Sequence, residues 1–289
     1  MSKILITGAT GRLGKTVIEQ LLRHTTANNI VAFARDENKA TILKEKGIEV
    51  RLGSYEDTVS LEKALNAIDK ILLVSSPSIE NRFEHHKNVV DAAKKSGVKH
   101  IVFTGAAFKN PSVSKTKNLI EPLFQTDEYI KASGLIYTLL HNSLYADEIK
   151  IFAGEKVLET GIIFPAGNGK VPYALRREMS EAAANVLLQN NHENKLYELT
   201  GNDLYSYEDI ANTFSSLSGK TISYTDIDAS VYSENLKNLG IPENFVSIMT
   251  GFATDIKNHQ YEIITSDFEK LLGRKPTDLK ESLKEIYKF

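Results

Sequence analysis

Three glycines near the beginning of the chain have a spacing that suits phosphate binding. Gly8, Gly11 and Gly14 form the pattern G-x-x-G-x-x-G, after the short apolar run Ile4 to Ile6 and before a helical pattern that starts at Lys15. Where a glycine-rich turn joins a strand to a helix, backbone N–H groups at the helix N-terminus bind a pyrophosphate, and side chains would block its approach. The turn therefore predicts a dinucleotide site, with a merely structural turn as the alternative.

The same residues allow a second interpretation, the phosphate loop of a nucleoside triphosphatase. The segment Ala9 to Thr16 fits G-x-x-x-x-G-K-[ST] if alanine replaces the first glycine. Proteins of that class also need a later strand that ends in a carboxylate, which holds Mg²⁺. The apolar strand Ile71 to Val74 is followed by Ser75-Ser76-Pro77 instead. We therefore reject this interpretation and expect Lys15 to be a solvated helix residue.

Arg35 follows the second predicted strand, a position that bears on the choice of cofactor. A site specific for NAD usually offers Asp or Glu there to the ribose hydroxyls. A guanidinium can instead pair with the 2′-phosphate of NADP and stack on the adenine. We therefore predict NADP as the cofactor, with NADPH preferred over NADH. Asp36, one residue later, argues against this preference, and a solvated loop arginine is the alternative.

Small residues follow the fourth and fifth predicted strands. Ser75-Ser76-Pro77 ends the fourth strand, and Thr104-Gly105-Ala106 ends the fifth. Residues of this size leave room for the adenosine and nicotinamide halves of a dinucleotide that crosses the sheet. We expect Ser75, Ser76, Pro77 and Thr104 to contact the cofactor, while ordinary loop residues are the alternative.

Other kinds of catalytic site find little support in the sequence. No tyrosine is followed by lysine at the fourth position, the pair by which standard short-chain dehydrogenases move a proton, and Tyr173 with Arg177 is the nearest case. His85 and His86 are adjacent on a helix, so their rings point about 100° apart and cannot chelate one metal ion. We expect them to be exposed or to pack between helices. The sequence predicts no metal site and no catalytic side chain.

The composition limits the classes of partner. The chain has 289 residues, of which 42% are hydrophobic and 25% charged, with a net charge of −2 and no cysteine. This charge gives no field that would attract nucleic acid or an anionic membrane. No apolar run approaches the ~20 residues of a membrane span. We expect a soluble cytoplasmic protein that contacts neither nucleic acid nor membrane.

Strand and helix patterns alternate over about 140 residues, which predicts an α/β fold. We expect a Rossmann-type doubly wound parallel sheet that binds ligands beyond the carboxyl ends of its strands. An NAD(P)-binding domain should span residues 1–150. Residues 151–289 should form a smaller, mostly helical substrate lobe that returns some elements to the sheet. In this range we expect short strands near Val157 and Ile162, a helix from Met179 to Leu188 and a strand from Leu196 to Thr200.

The sequence resembles the NmrA-like atypical short-chain dehydrogenases, in particular their quinone and triphenylmethane-dye reductases. The resemblance extends over nearly the whole chain. The segments that carry it are Ile6 to Gly14, Val31 to Arg35, Leu72 to Ser76, Asn88 to Ala93, Tyr137 to Tyr145, Gly167 to Lys170, Arg176, and Tyr197 to Leu199.

This resemblance implies an enzyme that transfers hydride directly from NADPH to a quinone or similar aromatic electrophile, without a dedicated proton-transferring side chain. It also implies further cofactor contacts. Those residues are Gly8, Ala9, Thr10, Gly11, Arg12 and Leu13 in the turn, which Gly14 completes, together with Arg35, Ser75, Ser76, Pro77, Asn142, Ser143, Leu144, Tyr145, Ala146 and Asp147. For the substrate pocket we expect Phe108, Tyr145, Tyr173 and Arg176, although core packing is the alternative for the aromatic residues.

Two positions depart from the family pattern. Relatives often carry Lys or Tyr in the helix before the sixth strand, where this chain has Glu128, so we expect a carboxylate near the nicotinamide. Relatives carry Arg in place of His141, so we expect the loss of a fixed charge. The alternative function is a regulator of the NmrA type that senses NAD(P) without turnover and acts through a protein partner. Dye reduction and a homodimer remain open.

Overall fold

A parallel sheet of seven strands forms the centre of the protein, whose computed structural model describes residues 2–289. The strands of the molecule are β1 (Ile4–Ile6), β2 (Ile30–Ala34), β3 (Glu49–Leu52), β4 (Lys70–Leu73), β5 (His100–Ala106), β6 (Ile136–Asn142), β7 (Ile162–Ile163), β8 (Lys195–Leu199) and β9 (Tyr224–Thr225). The large sheet has the order β3-β2-β1-β4-β5-β6-β8 with parallel neighbours throughout. This arrangement confirms the predicted Rossmann-type fold, and the strand order reverses between β1 and β4, where such sheets bind ligands.

Helices cover both faces of this sheet. The helices of the molecule are α1 (Arg12–Leu21), α2 (Glu37–Glu45), α3 (Thr58–Ala64), α4 (Arg82–Lys95), α5 (Lys117–Ser133), α6 (Ile149–Ala153), α7 (Val157–Thr160), α8 (Arg176–Leu188), α9 (Tyr207–Ser218), α10 (Ala229–Asn238), α11 (Glu243–Lys257), α12 (Asp267–Leu272) and α13 (Leu279–Tyr287). Within residues 2–289, none of them is long and apolar enough to cross a lipid bilayer.

The alternation of side chains along the strands divides the core in two. On β1, Ile4 and Ile6 belong to the cluster that α1, α8 and α12 cover. Leu5, between them, belongs to the opposite cluster, which α3, α4 and α5 cover. Because successive side chains of a strand point to opposite faces, a buried parallel strand must be apolar on both. This requirement explains why β1 is a continuous apolar run.

A third hydrophobic cluster lies in the C-terminal half of the chain. It buries the aromatic rings of Phe164, Tyr207 and Phe214 between α9, α11, α13 and the small sheet of β7 and β9. Other parts of this half return to the large sheet, since α8 packs on α1 and β8 pairs with β6. The division into domains at residue 150 remains a prediction.

Most expected elements are present, with shifted ends. The helix expected from Met179 begins at Arg176, and the strand expected from Leu196 is β8, one residue earlier at each end. The strand expected near Val157 is wrong. Val157 begins α7, a single helical turn between Gly154 and Gly161, both of which have positive φ. These glycines limit the segment to one turn, and Val157 is buried in the third cluster.

A buried carboxylate on α11 fixes the segment that precedes α5. Asp255 is fully buried, and its Oδ1 accepts the Lys115 N–H at 2.7 Å. Its Oδ2 accepts the hydroxyls of Ser114 at 2.7 Å and Thr116 at 2.9 Å. Helix α5 has no side-chain cap of its own. Asp255 therefore supplies acceptors to the turn that starts α5.

Replacing Asp255 with asparagine should lower the free energy of unfolding by roughly 2–3 kcal/mol, because the amide keeps the shape but turns an N–H₂ group toward buried donors. Urea denaturation of the two proteins measures this difference. Asp228→Asn is the matched control, because Asp228 is exposed and its side chain caps no N–H group. Equal losses in the two variants would contradict the stabilising role of Asp255.

Candidate functional site

A cleft of about 350 Å³ opens at the carboxyl ends of β1, β2 and β4. It lies at the point where the strand order reverses, as expected for a ligand site in this fold. Ten of the predicted site residues line it. They are Gly8, Thr10, Gly11, Arg12, Leu13, Gly14, Arg35, Ser75, Ser76 and Pro77.

The glycine turn forms the inner wall of the cleft. Gly8 has a φ of +56°, a conformation that favours glycine, and Gly11 N–H donates to the Gly8 carbonyl at 2.9 Å. A Cβ atom on Gly14 would lie 2.4 Å from the Gly8 carbonyl oxygen, so a side chain there would displace the backbone. Ala9, the remaining member of the turn, is buried in the core beneath it.

The N-terminus of α1 is open to a ligand. Its N-cap is Gly11, no side chain caps it, and its first turn contains no acidic residue. The first N–H groups of a helix have no intrahelical acceptor, and the helix dipole adds partial positive charge there. The turn and this helix end therefore fit a pyrophosphate, which needs close backbone approach and several N–H donors.

The outer end of the cleft is cationic. Arg35 and Lys39 both line it. Asp36, which argued against a phosphate site, is the N-cap of α2 and accepts the N–H groups of Asn38 at 2.9 Å and Lys39 at 3.2 Å. Asp36 also lies 3.8 Å from Lys39 Nζ, so its charge is partly balanced by the helix N-terminus and the lysine, and Arg35 is the cleft-lining cation at the end of β2 without this carboxylate partner.

Tyr55 forms part of the cleft wall that the sequence did not indicate. Its hydroxyl lies 2.6 Å from the hydroxyl of Thr7 and 2.9 Å from the carbonyl of Val74, and its ring is parallel to that of Phe33. Burial raises the pKa of Tyr55, so it is a neutral phenol. A usable signal was its position just after β3, since the carboxyl ends of parallel strands lie at one edge of the sheet.

Two histidines of α4 hold the loop after β4. Ser76 N–H donates to His86 Nε2 at 2.8 Å, and Ser76 Oγ lies 3.0 Å from His85 Nδ1. Burial, with the positive charge of Arg82, lowers the pKa of His86 to about 3, so its ring is neutral and can accept. Neither histidine is exposed. Their function is to position Ser76, while Thr104 Oγ1 accepts the Ser75 N–H at 3.0 Å.

The predicted cofactor contacts Asn142 to Asp147, which start at the last residue of β6, lie outside the cleft lining. Asn142 Nδ2 donates to the Tyr145 hydroxyl at 3.1 Å, and the Arg176 guanidinium lies over the Tyr145 ring at 4.5 Å. Asp147 accepts the Arg176 N–H at 2.8 Å.

Glu148 links the glycine turn to the start of α8, since it pairs with both Arg12 and Arg176. Leu144 is partly buried beside the third cluster, Ser143 and Ala146 are buried, and cofactor contact by Asn142 to Asp147 remains a prediction.

The predicted substrate residues are packed rather than open. Phe108 is buried with its ring edge against Tyr261, at 5.0 Å between centroids. The Tyr173 hydroxyl bonds to that of Tyr207 at 3.1 Å, and Arg176 is committed to its acidic partners. A substrate role for these residues remains a prediction. Across residues 2–289, no three His, Asp or Glu residues are grouped so that they could hold a metal ion.

The expectation for Glu128 is wrong. Its side chain is 75% exposed and pairs with Lys131 at 2.7 Å on the outer face of α5. The next residue toward the N-terminus, Asp127, is buried instead and lies 2.8 Å from His141 Nε2. Adjacent residues of a helix point about 100° apart. A prediction that is wrong by one position therefore selects an exposed residue in place of a buried one.

The expectation that His141 removes a positive charge is also wrong. Burial by itself would lower the pKa of this imidazole, but hydrogen bonds to Asp127 and Glu198 outweigh it and raise the pKa to about 9. The Glu198 carboxylate lies 3.1 Å from Nδ1, on the side opposite Asp127. His141 is therefore a buried cation at neutral pH, which joins α5, β6 and β8.

The strand order, the glycine turn and the cleft at the switch point define a protein of the Rossmann nucleotide-binding class. The chain belongs to the NmrA-like family, whose sequence profile matches residues 1–284. It is 33% identical over 285 residues to quinone oxidoreductase 2 of Escherichia coli, with 98% of each chain covered, and 27% identical over 250 residues to an NAD(P)H azoreductase of Xenophilus azovorans, with 85% and 84% covered.

Two solved structures resemble this fold closely. The Escherichia coli NADPH-dependent quinone oxidoreductase in complex with NADPH has a TM-score of 0.92 at 32% identity, with 98% of this chain and 99% of that chain covered. The Citrobacter sp. triphenylmethane reductase in complex with NADP(H) has a TM-score of 0.91 at 34% identity, with the same coverage. Both are structures with a nicotinamide dinucleotide bound.

The raised pKa of His141 predicts a pH-dependent stability. Because the folded pKa lies above the unfolded value of 6.5, the stabilisation is fully present below about pH 6.5 and is lost as the pH rises through about 9. The free energy of unfolding of the protein should exceed that of His141→Gln by roughly 3 kcal/mol more at about pH 6 than at about pH 9.5. Urea denaturation at both pH values measures this change, and a difference that stays constant would contradict the buried cation.

Proposed function

We propose that this protein is an NADPH-dependent reductase that passes hydride directly to a quinone or a similar aromatic electrophile. It is an NAD(P)H-dependent oxidoreductase with NADP as its cofactor, as its relatives among quinone, azo and triphenylmethane-dye reductases support. The observation that carries the proposal is the glycine cradle at the switch point, where the Gly14 backbone is so close to the Gly8 carbonyl that only glycine fits.

Different residues of the cleft would bind different parts of the cofactor. The turn and the open N-terminus of α1 would hold the pyrophosphate through backbone N–H groups. Arg35 and Lys39 would pair with the 2′-phosphate, whose double charge a guanidinium binds well. When bound, NADPH supplies the hydride, so the protein need only bring the acceptor to it and exclude water.

Neither Tyr55 nor His86 is suited to transfer a proton to a ligand in the cleft at neutral pH. Tyr55 has a raised pKa and bonds to Thr7 and Val74, and the neutral ring of His86 lies behind Ser76. A lysine at the fourth position after a tyrosine is absent from the sequence. These features favour an acceptor whose reduction begins with hydride alone, as that of a quinone or a cationic dye does.

Oxidation of NADPH by the purified protein tests the activity. We expect the absorbance of NADPH to fall only when a benzoquinone, an azo dye or a triphenylmethane dye is added, and to fall more slowly with NADH. The order of rates within this panel identifies the acceptor class. Tight NADPH binding without turnover across the panel would contradict the proposal and favour a cofactor-sensing regulator.

Replacing Arg35 with alanine tests the choice of cofactor. The dissociation constant for NADPH should rise by about tenfold, because a charge-assisted pair with the 2′-phosphate is lost, while that for NADH should change by less than about threefold. Titration of the cofactor fluorescence measures both constants. Arg23→Ala is the matched control, since Arg23 is exposed at the far end of α1. An unchanged ratio of the two constants would remove Arg35 from the specificity site.

A further inference from the structure

The loop after β3 returns across the cleft and brings a carboxylate to a buried histidine. Glu56 lines the cleft with its side chain 71% exposed, and its Oε1 lies 3.2 Å from Nε2 of His85. The backbone of the same loop is held from α4, because Asn88 Nδ2 donates to the Tyr55 carbonyl at 3.0 Å. The backbone next to Glu56 is therefore anchored to α4, and both Glu56 and Arg35 line the cleft.

The contact with Glu56 favours a proton on Nε2 of His85, because a carboxylate oxygen 3.2 Å from an unprotonated nitrogen would be repelled. The Ser76 hydroxyl is compatible with this tautomer, since it accepts the Ser78 N–H at 3.2 Å and can donate its own proton to His85 Nδ1, 3.0 Å away. In a neutral imidazole one nitrogen accepts while the other donates. With Nδ1 as the acceptor, Nε2 carries the proton and is the nitrogen that faces Glu56.

This Nε2–H group needs an acceptor. The atom is sealed from solvent, and within residues 2–289 no group bonds to it in hydrogen-bond alignment. A buried donor without an acceptor costs roughly 1–3 kcal/mol in general, a penalty that proteins seldom accept. The Glu56 carboxylate is in contact with this donor, so a small rotation of the exposed side chain provides the bond and leaves the second oxygen facing the cleft.

A carboxylate in this position selects among the parts of a dinucleotide. It would repel the phosphates, which the glycine turn, Arg35 and Lys39 attract, and it would accept from a hydrogen-bond donor of the ligand. The rings of Phe33 and Tyr55 also line the cleft and are parallel to each other, so they offer aromatic surface to a flat base. Adenine offers its 6-amino group as a donor at the edge of the ring, whereas hypoxanthine has an acceptor oxygen there.

We propose that Glu56 recognises the 6-amino group of the cofactor's adenine, and that His85, fixed by Ser76, is the positioning residue that holds its carboxylate. This inference rests on the proposed function, because it takes an adenine dinucleotide as the ligand of the cleft. It assigns to this chain a selection for the base that is separate from the selection for the 2′-phosphate by Arg35.

Binding of reduced nicotinamide hypoxanthine dinucleotide phosphate, compared with NADPH, tests the inference without any turnover. Titration of the reduced-nicotinamide fluorescence should give a dissociation constant about tenfold higher for the hypoxanthine form. In Glu56→Gln the two constants should agree within about threefold, because an amide can present either an oxygen or an N–H₂ group. In His85→Gln the ratio should fall between these values, whereas a general loss of structure would weaken both ligands equally.

Two matched controls should keep the ratio of the unmodified protein. Glu62→Gln changes a surface carboxylate on the neighbouring α3, and His259→Gln changes another histidine that contacts a glutamate, Glu262 at 2.6 Å. Equal binding of the two dinucleotides by the unmodified protein, or a ratio that survives in Glu56→Gln, would overturn this inference and leave the proposed function in place. Failure of both dinucleotides to bind would overturn the proposed function and the inference together.

Discussion

The close approach of Gly14 to the Gly8 carbonyl is the constraint on which the site and much of the packing depend. It allows a short glycine turn to join β1 to α1, so that the first residues of α1 line the cleft. The apolar side of α1 then packs on α8, which in turn covers the sheet and carries α12. A side chain at Gly14 would therefore disturb both the ligand-facing backbone and the alignment of three helices.

The parts of the fold that follow from local sequence were predictable. Strands buried on both faces must be apolar, and this signature holds throughout β1 and β2 and from Ile71 to Leu73 in β4. The glycine triplet and Arg35 follow such strands directly, so topology alone brings them to one edge of the sheet. The contributions of Asp36 and Val157 were harder to predict, because a capping bond and a single turn between two glycines depend on backbone angles that composition does not specify.

Long-range contacts account for what the sequence concealed. The charge of His141 depends on Asp127, fourteen residues earlier, and on Glu198, fifty-seven residues later. The contact between Glu56 and His85 joins the loop after β3 to α4. No hydrophobic periodicity in the sequence predicts it. The exchange of Glu128 for Asp127 has a different cause, since the carboxylate was expected in the correct helix but one residue out of register.

The position of β8 has a consequence for how the chain folds during synthesis. The first six strands of the sheet are complete at Asn142, but β8, which pairs with β6, begins only at Lys195. At roughly 5–20 residues per second, the unpaired edge of β6 is exposed for several seconds on the ribosome. An open edge strand is a template for pairing with other chains. During this interval, protection of the β6 edge from pairing with other chains depends on chaperones and not on the stability of the finished fold.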